Sequence, residues 1–66
     1  MSEPEKNDLL NRAIFLARIA TTRAASKLAE AINQALAKIP GAYESLKRIY
    51  DQVFSELPKA AQALII

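Results

Sequence analysis

Only four residues in this chain can readily stop a helix: Pro4, Pro40, Gly41 and Pro58. Their positions divide the sequence before any other property is considered. Pro4 falls where a first helical turn would lie, and there the missing N–H costs nothing because it would have no partner. Ser2-Glu3-Pro4-Glu5 around it fits a capping box, with Ser2 accepting from the amide three residues on and Glu5 reaching back. From there to Ile39 nothing interrupts, and Ala, Leu, Arg, Lys and Glu, all strong helix formers, dominate. The pattern predicts one long helix over about 4–39, roughly 50 Å at 1.5 Å per residue. Ile39-Pro40-Gly41 then ends it, because a residue before proline avoids the α region and glycine supplies the free backbone of a tight reversal.

A second helix is expected over about 42–57. At 100° per residue, Ala42, Tyr43, Leu46, Ile49, Tyr50, Val53, Phe54 and Leu57 gather on one side. Glu44, Lys47, Arg48, Asp51, Gln52 and Glu56 gather on the other. Leu57-Pro58 breaks the chain again, and a short helix over about 59–65 can follow. Nothing alternates with period 2, so no strand is predicted. The fold class is all-α. A short connection sets the second helix antiparallel to the first, giving one helical-hairpin domain over 1–66.

Sixty-six residues bury only about 60% of the surface that the unfolded chain exposes. Small scaffolds offset this with disulfides, metal, oligomerisation or very regular helix packing. Cysteine and histidine are absent, which removes disulfides, thiolate chemistry and the common zinc sites. Helix packing and oligomerisation remain. The start, MSEPEK, is acidic, and no uncharged apolar run approaches the ~18 residues of a membrane span, so the expected location is the cytoplasm.

Two apolar faces mark the first helix. Leu10, Ile14, Thr21, Ala25, Leu28, Ile32, Leu36 and Ile39 form one stripe along its whole length, and an alanine seam runs beside it: Ala13, Ala17, Ala20, Ala24, Ala31 and Ala35. Small residues at that spacing let a neighbouring helix approach closely. The second helix is too short to cover this stripe, so the segment holding Ala60, Ala61, Leu64 and Ile65, of the same chain or a partner, is expected to pack near Leu10 and Ile14. Phe15, Leu16 and Ile19 point to the far side. A contiguous apolar patch of that kind usually marks an interaction site, and a second copy pairing about a two-fold axis would complete a four-helix bundle. Phe15, Leu16 and Ile19 are therefore the expected oligomer interface, with Ile65 and Ile66 seated in a groove of the same or a neighbouring chain. A contact that does not close would instead build a filament.

The chemistry available for catalysis is poor. Ser26, Ser45 and Ser55 lie on polar helix faces with no base beside them, no glycine-rich phosphate loop occurs, and Tyr43 and Tyr50 read as core residues with wet hydroxyls. No catalytic, cofactor-binding or metal-binding residue is expected, and the chain does not read as an enzyme. Net charge is +2, yet Arg12, Arg23, Lys27 and Lys38 share one polar side of the long helix. Two such helices could present a basic ridge to phosphates, which makes nucleic acid the lesser expected partner. A membrane-surface role is weaker still, because the Ala-rich, Leu-poor face suits packing better than insertion. The leading expectation is a small interaction or assembly module, structural or regulatory, that self-associates as a dimer or binds another protein. The alternatives are a nucleic-acid-binding regulator, a filament subunit and a membrane-surface binder.

Overall fold

A computed structural model describes residues 1–65, and among them it contains four helices and no strand: α1 (Glu3–Ile19), α2 (Thr22–Leu36), α3 (Ala42–Glu56) and α4 (Lys59–Ala63). The first three form an antiparallel up-down-up bundle, in which α2 packs on both α1 and α3, and α1 leans on α3. The expected single helix over 4–39 is thus two helices. Ala20 and Thr21 are both extended, with ψ of 166° and 158°, and the chain reverses there. Thr21 caps α2: its Oγ1 accepts from the Ala24 amide at 3.4 Å. Thr21-Thr22 is the local reason, since threonine favours caps over helix interiors. The larger reason is the core. On one continuous axis Leu16 and Leu28 would sit about 120° apart, and no neighbour could cover both. Folding back at Ala20 lets both point inward.

One leucine from each of α1, α2 and α3 (Leu16, Leu28 and Leu46) is fully buried. Around them lie Leu9, Ala13, Ala31, Ile32, Ala35, Ala42, Tyr50 and Val53, and among the described residues no charged or amide side chain is buried. The alanine seam thereby does what its spacing suggests: Ala13, Ala31 and Ala35 are the close-approach residues between helices, and Ala17, Ala20 and Ala24 pack at the margin.

The ends of the helices are closed by local hydrogen bonds. At the start of α1 both halves of the capping box form, with Glu5 N–H donating to Ser2 Oγ and Ser2 N–H to Glu5 Oε1 at 3.4 Å each, while Ser2 O–H donates to Glu5 Oε1 at 2.9 Å. These donors to the carboxylate hold Glu5 below its ordinary value of 4.5. A lowered folded pKa stabilises the fold above pH 4.5, and that stabilisation fades as pH falls through the lowered value. Ser2→Ala should therefore raise the titration midpoint of Glu5, read by carboxyl-carbon NMR, and flatten the acid limb of the stability profile. An unchanged midpoint would place the cause elsewhere.

α2 ends three residues earlier than expected, in a Schellman turn. Ile39 N–H donates to Gln34 C=O at 3.1 Å, and Lys38 takes the left-handed conformation, φ 60°, where glycine is usual. Gly41 (φ 77°) then starts α3. After Pro58, α4 turns back on the end of α3: the Gln62 side-chain amide donates to Phe54 C=O at 2.9 Å, which also accepts the Leu57 N–H at 3.1 Å, and to Leu57 C=O at 3.1 Å, closing the helix end. α4 buries no residue fully and Leu64 is exposed. The expectation that this segment covers Leu10 and Ile14 is not met within the chain. Its Ile65 instead joins the partly buried margin of the core, together with Ile19, Phe54 and Leu57, at the end of the bundle where α3 stops.

Candidate functional site

Three helices in a bundle leave three outer grooves, and each has its own chemistry. Between α1 and α3 lies a cleft of ≈ 320 Å³ lined by Glu5, Asp8 and Leu9 against Lys47, Tyr50 and Asp51, with Arg12 inside it. Arg12 Nε donates to Asp8 at 3.0 Å. That hydrogen bond and the charge of Asp8, followed by Tyr50, strengthen the hold of the guanidinium on its proton. Lys47 pairs with Asp51 at 3.3 Å. Acid and base alternate here, so the groove is already compensated. Tyr50 stacks on Phe54, ring centroids 5.8 Å apart.

Between α2 and α3 lies a cleft of ≈ 340 Å³ formed by Thr21, Arg23, Ala24 and Lys27 on one side and Ile49, Gln52, Val53 and Glu56 on the other. Arg23 and Lys27 take part in no ion pair among the described residues. Lys38 is at the opposite end of α2, in the turn, beside a cleft that also holds Lys6 and Tyr43, whose ring lies 5.1 Å from Lys6 Nζ. Arg12, Arg23, Lys27 and Lys38 therefore do not form one ridge. The reversal at Ala20 carries Arg12 to a different groove from Arg23 and Lys27, and the end of α2 leaves Lys38 off the helix.

The third groove, between α1 and α2 on the side away from α3, is apolar. Because Asp8 and Arg12 turn toward α3 on α1, and Arg23, Lys27 and Gln34 toward α3 on α2, helical periodicity sends Leu10, Ile14 and Ala17 of α1 and Ala25, Ala29 and Leu36 of α2 to the opposite side. Ile14 is 39% and Leu36 60% exposed. Of the stripe expected as core, Leu28 and Ile32 are buried as anticipated, Leu10 and Ala25 are partly buried, and Ile14 and Leu36 stand exposed on this face.

The expected oligomer interface changes accordingly. Leu16 is 0% exposed and belongs to the chain's own core. Ile19 and Ile65 lie partly buried at the core margin. Phe15 alone keeps a large exposed area, 41%, on the flank of α1 toward α3. Ile66 lies outside the described residues. Sequence reasoning missed Ala29 as part of a face, and a wheel drawn for α2 alone would have found it.

Among the described residues no helix is long and apolar enough to cross a membrane, and no three acidic side chains gather as a metal site would require. No family model matches the chain, and neither a curated protein nor a solved structure matches it.

Proposed function

We propose that this chain is a small helical interaction module that presents the open face between α1 and α2 to a partner helix surface. The observation that carries this reading is the contrast between the grooves: two hold compensated or polar side chains, while the third is apolar. The total exposed surface supports it. The chain exposes 4611 Å², whereas a compact monomer of 7.3 kDa exposes about 4,200 Å². The shallow clefts beside charged residues favour docking over the enclosed pockets that small ligands prefer.

An interaction face differs from a core in what polar substitution does to it. Ala29→Lys combined with Leu36→Lys should leave helicity intact and shift stability by less than about 1 kcal/mol, as surface changes do, when melting is followed at low micromolar concentration by circular dichroism. A loss of several kcal/mol would make these residues internal packing and end the proposal. A nucleic-acid role for Arg23 and Lys27 predicts instead a steep fall of affinity with salt, measurable with mixed RNA and DNA at low ionic strength.

A further inference from the structure

We infer that α4 is a strap that opens by itself while the three-helix bundle stays folded, with the Gln62 side chain as its catch. The inference is independent of the α1–α2 face. It concerns the end of the bundle where α1 and α3 both stop.

The first argument is how little α4 shares with the core. Five residues are too few to hold a helix in water, where even about 12–15 are marginal, so α4 stays helical only while it rests on the bundle. It contributes no fully buried side chain, and every buried residue of the core belongs to α1, α2 or α3. Lifting α4 therefore takes away nothing that those three helices need in order to pack.

The second argument is what holds it. The part-buried Gln62 amide donates to Phe54 C=O at 2.9 Å and to Leu57 C=O at 3.1 Å. Ile65 packs against the margin of the core, while Leu64 is 67% exposed. Among the described residues no ion pair ties α4 to the bundle. Leu57 and Pro58 are both extended, with ψ of 149° and 150°, and form a two-residue hinge. One side chain thus makes both of the polar contacts that fasten the strap.

Opening changes the surface. It bares Phe54 and Leu57, on which α4 rests, beside Ile19 in the same margin. Ile19 stands one helical turn from Phe15, which is already 41% exposed. The open form carries an apolar patch that the closed form hides in part, so α4 sets how much apolar surface this end presents.

Amide hydrogen exchange of the full chain, followed by NMR at low urea concentrations, tests this. The amides of Gln62, Leu64 and Ile65 are bonded to Pro58, Ala61 and Gln62. They should exchange more slowly than in a free peptide, yet at least about tenfold faster than those of Leu28 and Leu46. Their rates should scarcely depend on urea, because a local opening exposes little surface. Gln62→Met keeps the side chain's length and removes the donor. It should speed the three α4 amides by about tenfold and leave Leu28 and Leu46 unchanged. Three outcomes would overturn the inference. α4 amides that respond to urea in step with Leu28 and Leu46 would make α4 part of the bundle's own cooperative unit. Free-peptide rates in the parent would mean that no closed strap exists. A Gln62→Met effect that is absent, or that reaches the core amides equally, would remove Gln62 as the catch.

Discussion

Leu16→Asp should unfold this protein, and Phe15→Asp, one residue away, should not. Leu16 is wholly enclosed by its own chain. Truncating such a leucine costs about 2.7–5 kcal/mol, and an unpaired carboxylate in the same place costs several more. A domain of this size rarely holds more than about 3–5 kcal/mol, so the variant should show coil-like circular dichroism at 25 °C. Phe15 is 41% exposed, and its replacement sacrifices only part of a side chain's packing. A Leu16→Asp chain that keeps its helices and loses only associated mass would return Leu16 to an intermolecular surface and contradict the fold.

The second large effect comes from adding atoms. Ala35 is completely buried where α2 faces its neighbours, beside Ala31 and Ala42 in the same core cluster. Ala35→Leu must push the helices apart or force off-rotamer side chains, typically about 1–3 kcal/mol. In a domain of 60–100 residues that lowers Tm by roughly 4–20 °C. Ala29→Leu makes the same chemical change on the open face of the same helix and should leave the monomer's Tm almost unmoved. Equal effects at the two positions would mean that α2 is rotated from the phase described. The pair therefore reads the orientation of α2 directly in calorimetry.

Much of the local structure was legible in the residues. Ser2 and Glu5 announced the start of α1, and both hydrogen bonds of the capping box are made. Pro40-Gly41 and Leu57-Pro58 announced two reversals, and the apolar side of α3 was read with Leu46, Tyr50 and Val53 at its centre. The reversal at Ala20–Thr21 was not legible with the same force. A threonine cap contributes about 1 kcal/mol, and threonine inside a helix costs a few tenths to ~0.7 kcal/mol, so Thr21-Thr22 biases the chain only slightly toward a break. The candidate site suffered from this directly. With one continuous axis, Leu16 and Ile14 fall on surface and core respectively; with two axes the assignment inverts.

What the sequence by itself determined is therefore the set of elements that have strong local causes: helices throughout, capped at Ser2, with reversals at Pro40-Gly41 and at Pro58 and α3 amphipathic along one side. What only the tertiary structure decided is which side of α1 is inside. Leu9, Ala13 and Leu16 compete for burial with Leu10, Ile14 and Ala17 on the same helix, and their local propensities scarcely differ. The choice falls to the partner surface: Leu28, Ala31, Ile32 and Ala35 on α2 and Leu46, Tyr50 and Val53 on α3 enclose the first set, leaving Leu10 and Ala17 at the margin and Ile14 exposed. Burial of apolar area is a property of the assembled helices, so the residues left outside, and with them the face between α1 and α2, exist as a feature only once all three helices are in place.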